Sequence, residues 1–331
     1  MQLITAPRNM MSPTVSILVP VYNQKQYIAE CIQSALNQTF TDFQIVIVDN
    51  ASDDGTWEIC QQFAANDSRI RAYRNEENIG PVRNWKRCAE EAKGEFSKIL
   101  FSDDMLEPKC LAEMVPKLKN PDVSFVFCAA RCGKSREEST LAYSHNVKER
   151  LSAREFLNLI LDGKAPVSPG AILIRTKDLQ KNLHFNFPTA TARPFEKHGA
   201  GPDVMIMLLT AEAYAFVCSI KSPLVYFRAH SGSFTIKNEN MQVFDGYVSA
   251  ISYYLSKNES SIELVKYLAK QWVSRIRISR SLISPKKFVV GNNGPDSLLS
   301  VVLIVVLIVV FSTTCTFRKI VRMTSTRVHA R

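Results

Sequence analysis

The sequence predicts an α/β fold with a mostly parallel central sheet, and three observations carry that expectation. The runs VSILVPV (15–21) and FQIVIVDN (43–50) are continuous, apolar and β-branched, as strands covered on both faces are. Between and after them, apolar residues recur at helical spacing. Strand and helix then keep alternating, a pattern that favours parallel pairing through right-handed crossovers.

Taken in order, 15–21 runs into a turn at Tyr22-Asn23-Gln24 and then a helix marked by Tyr27, Ile28, Cys31, Ile32, Ala35 and Leu36, ending near Gln38-Thr39. The strand 43–50 ends in Asp49-Asn50, and Ser52, Asp53, Asp54 and Thr56 offer cap oxygens to the next helix. Residues 70–73 make a short third strand, Asn78-Ile79-Gly80 a turn, and 81–92 a helix. Gly94 opens GEFSKILFSDDML (94–106), where Ile99-Leu100-Phe101 is a strand stopped by Asp103 and Asp104. A helix is expected from about Glu107-Pro108, a strand over 123–129, a loop or ragged hairpin over 131–150, a helix over 153–161, a strand over 171–175 and a helix over 203–214. From Met241 two more helices follow. Phe244, Tyr247, Val248, Ile251, Tyr254 and Leu255 mark one, and Ile262, Val265, Leu268, Ala269, Trp272 and Ile276 the other. Lys266, Lys270 and Arg277 fall on the outer face of the second, which either rests on anionic headgroups or is a solvated charged face.

The run 298–311 is apolar over 14 residues, and the uncharged Ser312 to Phe317 extend it to the ~20 that a bilayer requires. It is therefore expected to be a single transmembrane helix over 298–317, with orientation open because basic residues flank both sides. The expected organisation is a tail at 1–13, an α/β domain at 14–235 with halves 14–130 and 131–235, a helical region at 236–290, the membrane helix and a basic tail at 318–331. The amino terminus lacks a signal-peptide pattern, which keeps the body in the compartment where it is made.

A hydrophobic content of 46% excludes a disordered chain, and a formal charge of +10 points to an anionic partner. Nucleic acid is not expected, because no basic face carries interleaved aromatics. Eight scattered cysteines, without paired CxxC spacing, read as reduced thiols and make a zinc site improbable.

Two carboxylates at the carboxyl end of a central strand suit a hard divalent cation with oxygen ligands, or else an acidic turn that caps a helix. Elsewhere stand NIGPVRN (78–84), GPDVMIMLL (201–209) and LVYFRAH (224–230). With VSILVPVYN, QTFTDFQIVIVDNASDDGT and AKGEFSKILFSDD, in this order and spacing, they resemble the family 2 glycosyltransferases of GT-A fold, over about residues 14–235. The likeness is to members of the bacterial polysaccharide and O-antigen type.

That resemblance implies an inverting transfer of a sugar from a nucleotide-diphospho-sugar donor to an acceptor hydroxyl on a lipid-linked or growing polysaccharide. It also implies assistance by Mg2+ or Mn2+. By the same resemblance Asp104 is the metal ligand, and Asp103 contacts the donor ribose or the metal shell. Pro20 and Tyr22 lie against the base. Asp49 and Asn50 stand where the base is read, with Asn50 in place of the usual aspartate and Asp49 alternatively a loop cap. Arg83 approaches the diphosphate. Asp203 is the general base or, equally legible in sequence, an N-cap. His230 is a third metal ligand, a diphosphate contact or a structural histidine. Together these place the enzyme at the cytoplasmic face of the inner membrane. Two other readings compete: a membrane-tethered scaffold subunit of the same fold, and a sugar nucleotidyltransferase, which would require a glycine-rich loop that PVYNQKQ lacks.

Overall fold

The apolar run Val15–Val21 forms β1, and after helix α1 (Ile28–Leu36) the run Phe43–Asp49 forms β2, parallel to β1 in the register Val15↔Phe43 through Val21↔Asp49. Both strands are buried along almost their whole length, which is why each reads as unbroken hydrophobic sequence. A computed structural model describes residues 12–143, 147–188, 195–230, 232, 241–279, 284–292 and 294. The chain divides into two compact units, one of residues 1–185 with 196–237 and the other of residues 186–195 with 238–331.

In the first unit α2 (Thr56–Asn66), β3 (Ile70–Arg74), α3 (Pro81–Glu90) and β4 (Phe96–Ile99) continue the alternation, and β3, β2, β1 and β4 lie side by side, all parallel. Beyond the aspartates come β5 (Met105–Leu106), α4 (Cys110–Leu118), β6 (Val123–Gly133), β7 (Ser139–Ala142), β8 (Arg150–Leu151) and α5 (Ala153–Leu161). The unit closes with β9 (Ile172–Arg175), α6 (Thr176–Asn182), α7 (Pro202–Ala211) and β10 (Phe216–Arg228). The main path of the sheet is β3-β2-β1-β4-β9-β6-β10-β5.

The sheet is mixed, which corrects the expected mostly parallel one. β9 enters between β4 and β6 and runs antiparallel to both, and the short β5, β7 and β8 are also antiparallel to their neighbours. A strand covered on both faces carries a continuous apolar run whichever way it points, so the direction of Ile172–Arg175 is not written in its composition. β10 is a second departure. Lys221, Ser222 and Pro223 interrupt its sequence and hide a 13-residue strand. The register breaks between Ile220 and Pro223 and again before Val225, so the proline sits in an irregularity of the ladder with β6.

In the second unit α8 (Gln242–Asn258) and α9 (Ser261–Ser279) pack on each other, with Arg275 bonded to Asp245 at 3.0 Å, and α10 (Pro285–Val290) follows. Among the described residues no helix is long and apolar enough to cross a membrane. The stretch 298–317 lies outside them.

Candidate active site

The strands β1, β2 and β4 deliver their carboxyl ends to one edge of the sheet, and the loops there are laced together. Asn23 and Asp53 exchange two hydrogen bonds of 2.9 and 3.0 Å, and the Gln24 N–H donates to Thr56 Oγ1 at 2.8 Å. Asp54 accepts from the Thr56 N–H and hydroxyl and from the Lys25 N–H. Partial burial opposes its ionisation, but these bonds prevail and hold its carboxyl below the usual range. Two non-glycine residues at this edge, Asn23 (φ 50°) and Ala51 (φ 62°), adopt left-handed backbone, so the loops after β1 and β2 are held in a locally strained shape.

Pro20 is buried within β1, whereas Tyr22 is 44% exposed just beyond it, free of the core and available to a planar ligand. Asp49 is fully buried. Its Oδ2 accepts from the Ser52 N–H at 3.0 Å and lies 3.3 Å from Arg74 Nε, while Oδ1 has no hydrogen-bond partner among the described residues. Asn50 is turned inward: its Oδ1 accepts from Asn75 and from the Ile79 N–H, and its Nδ2 donates to Asn78. Asn75 also donates to Asn84 and accepts from Arg87, and Asn84 donates to the Val48 carbonyl. These amides fasten the Asn78-Ile79-Gly80 turn to the end of β2. The sequence presents them as separate polar residues, and only the pairing of β2 with β3 brings them together. Arg83, one turn into α3, is exposed and lies over the Phe185 ring at 5.1 Å.

Asp103 and Asp104 occupy the turn between β4 and β5. Asp104 is 7% exposed and its Oδ1 accepts the backbone N–H of Arg228 at 3.0 Å. Burial, and then the neighbouring Asp103 charge, push its carboxyl well above the usual carboxylate range. Asp103 Oδ2 lies 3.0 Å from His230 Nε2. The His230 Nδ1 accepts the Gly232 N–H at 3.1 Å, so the ring proton belongs on Nε2, which donates to Asp103. The end of β10 is held down from the other side as well. The Arg228 guanidinium bonds the Asp103 carbonyl at 3.1 Å and Glu30 at 2.5 Å and lies over the Tyr27 ring, and Tyr27 also packs on the His230 ring at 4.6 Å.

Lys98, on β4 behind these aspartates, is fully buried. Its ammonium donates to the carbonyls of Gly170 and Ile99 and lies within electrostatic reach of Asp104. It thereby ties the Ser168-Pro169-Gly170 turn to the strand that carries the site. A lysine at strand centre reads in sequence as an interruption, and its role shows only in three dimensions.

Asp203 is 5% exposed in the first turn of α7, with Oδ1 accepting the N–H of Gly201 at 2.9 Å and of Val204 at 2.7 Å. The cap position itself belongs to Gly201. Packing links the segment before Asp203 to the strand end that carries the aspartate pair. Trp85 packs on Phe101 at 5.2 Å, and a Cβ on Gly199 would stand 1.9 Å from the same indole. Tyr143 lies within electrostatic reach of Asp203 and of Cys132, and Cys132 within reach of Asp104. The indole allows no side chain at 199, so Gly199→Ala is expected to destabilise the protein by about 1–3 kcal/mol in urea unfolding, as overpacked sites do. Trp85 is a residue that sequence reasoning missed, because a helical Trp reads as core.

Among the described residues no three His, Cys, Asp or Glu side chains form a metal-holding group. The donor set of Asp103 and Asp104 nevertheless fits a hard cation. Two crowded carboxylates, one of them buried and disfavoured as an anion, supply the one or two oxygens that Mg2+ or Mn2+ takes from protein when phosphates and water complete its shell.

A buried, mostly parallel nucleotide-half sheet extended by antiparallel strands, with paired aspartates at its ligand-binding edge, is the GT-A type of α/β fold. The Glycosyl transferase family 2 pattern matches residues 16–184, just over half of the sequence, and the chain belongs to that family. Its relatives include the glycosyltransferase GlyG of Streptococcus pneumoniae, 32% identical over 116 residues, and the putative glycosyltransferase EpsH of Bacillus subtilis, 29% identical over 234. These matches cover 35% and 68% of this chain, and only 38% and 63% of the relatives' own lengths. Among solved structures, residues 1–349 of S. aureus TarS in complex with UDP-GlcNAc superpose with a TM-score of 0.61 at 20% identity, over 81% of this chain and 74% of that one, a likeness of fold.

Proposed function

We propose that this chain is an inverting glycosyltransferase that moves a sugar from a nucleotide-diphospho-sugar to the hydroxyl of a lipid-linked or growing polysaccharide, of the O-antigen or capsule type. What supports the reading is that Asp103 and Asp104 follow β4 in a family 2 sheet, and that Trp85 packs both on Phe101, two residues before them, and against the Gly199 segment that leads into Asp203. That TarS is described with UDP-GlcNAc supports a nucleotide-sugar donor.

In this reading Tyr22 stacks on the base beside Pro20, and Asp49, whose buried Oδ1 has no hydrogen-bond partner among the described residues, stands at the end of β2 beside the donor. Asn50 acts from behind, holding the Asn78 turn. Arg83 meets the diphosphate by swinging off the Phe185 ring. Asp104 and Asp103 would hold Mg2+ or Mn2+, and the cation when bound would offset negative charge on the diphosphate. His230 keeps Asp103 oriented through its Nε2–H. Asp203 takes the proton from the acceptor hydroxyl as that oxygen attacks the anomeric carbon opposite the breaking bond to the diphosphate, which inverts the configuration. The stretch 298–317 anchors the enzyme at the cytoplasmic face of the inner membrane, where lipid-linked acceptors are met.

Calorimetric titration of the full chain with UDP, GDP, dTDP and CDP, with and without Mn2+, tests the donor site. One nucleotide is expected to bind only with metal. Binding of none of the four under either condition would remove the reading.

A further inference from the structure

The strand β6 ends between two partners that bear on the site. On one side Phe227 and Arg228 of β10 pair with its Cys132 and Gly133, and the Arg228 N–H is the donor that Asp104 accepts. On the other side β7 turns back antiparallel, with Thr140 opposite Cys132 and Ala142 opposite Ala130. Tyr143 is the next residue. The ladder thus delivers its side chain two strands away from the β10 segment that holds Asp104.

The backbone of Tyr143 is unusual for its type. Its φ is 59°, in the left-handed region that bulky residues rarely enter. Such strain persists only where the surroundings impose it, and it clusters at ligand clamps and active sites. Here the surroundings are the core, against which the ring packs, and Cys132 and Asp203, both within electrostatic reach. The residue is half-buried, and its hydroxyl makes no hydrogen bond among the described residues, although a phenol can both donate and accept. Packing alone would be served as well by phenylalanine. An uncommitted phenol suits a ligand that offers apolar faces and hydroxyls together, as a pyranose ring does. A nucleobase fits less well. In the sheet β4 and β9 separate β6 from β1, the strand that leads to Tyr22, a lateral offset on the order of 14 Å.

We propose that Tyr143 is a specificity-determining residue that touches the acceptor, its ring packing on a face of the acceptor sugar and its hydroxyl bonding a hydroxyl of that sugar. This rests on the transferase reading given above and names a residue that selects the acceptor.

The test uses the full chain in detergent with 3-fluorotyrosine in place of tyrosine, and the fluorine line missing from Tyr143→Phe reports position 143. Mn2+ and the nucleotide selected by titration are added first. Methyl glycosides of glucose, galactose, mannose, N-acetylglucosamine and glucuronic acid follow one at a time. The line is expected to stay in place with nucleotide and to move saturably with at least one glycoside. Tyr143→Phe keeps the ring and loses one hydrogen bond, so it should weaken that glycoside by about 2–10-fold and leave nucleotide affinity within about twofold. Tyr143→Asn, a residue that tolerates left-handed backbone, should lose the glycoside while the unfolding midpoint and nucleotide affinity are kept. A line that moves with nucleotide alone would place Tyr143 at the donor and overturn the proposal. So would a line that no glycoside moves, or a Tyr143→Phe chain that binds the glycoside as the native one does, and in both cases nucleotide binding leaves the transferase reading standing. If no nucleotide binds, the transferase reading falls and this proposal with it.

Discussion

Asp104→Asn is expected to abolish metal-dependent nucleotide binding, with an affinity loss of more than about 100-fold in calorimetry, because removing even outer-shell partners of a metal ligand commonly costs 10–100-fold. The amide keeps the shape of the side chain and can still accept the Arg228 N–H, so the turn survives and only the charge is lost. The same carboxyl predicts a pH dependence. Its folded-state pKa is raised, so in the metal-free chain it contributes stability at low pH that is lost as pH rises from the ordinary carboxylate range through the raised value. A cation binds the ionised form and relieves that penalty. The thermal shift produced by Mn2+ with nucleotide should therefore grow as pH rises above the ordinary carboxylate range in the native chain. In Asp104→Asn it should be flat. A native shift that fell with rising pH would exclude Asp104 as the group that takes the metal.

The candidate site residues were named from the sequence, and the side chains that support them were not, for a common reason. Asp103 and Asp104 stand out because charged residues at the end of an apolar run break a local pattern, whereas Tyr22, Asp49 and Asp203 are singled out only by the family resemblance. What stayed hidden are side chains whose roles are set by partners far away in sequence. Lys98 matters through Gly170, Trp85 through Phe101 and Gly199, and Asn50 through Asn75 and Asn78. Asn50 shows the limit best. Its type suits a base contact, and only the fold shows that both ends of its amide are already engaged. The sheet repeats the lesson: β1 and β2 are read from composition, while the reversed β9 and the proline-broken β10 are products of their neighbours.

Asp203→Asn should separate binding from chemistry. The asparagine Oδ1 can still accept the N–H groups of Gly201 and Val204, so the first turn of α7 is kept and the unfolding midpoint should change little. Alanine would strip those acceptors and confound a catalytic loss with a local collapse, which makes asparagine the informative choice. Nucleotide affinity in the presence of Mn2+ should stay within about twofold of the native value, because the role proposed for Asp203 is on the acceptor hydroxyl and not on the base or the diphosphate. Transfer of the sugar from whichever nucleotide the titrations select should fall by roughly 10²–10⁴-fold, the usual worth of a positioned base. If Asp203→Asn transfers at the native rate, the aspartate serves only the backbone of α7, and the base has to be sought elsewhere, with Tyr143, within electrostatic reach of Asp203, one candidate.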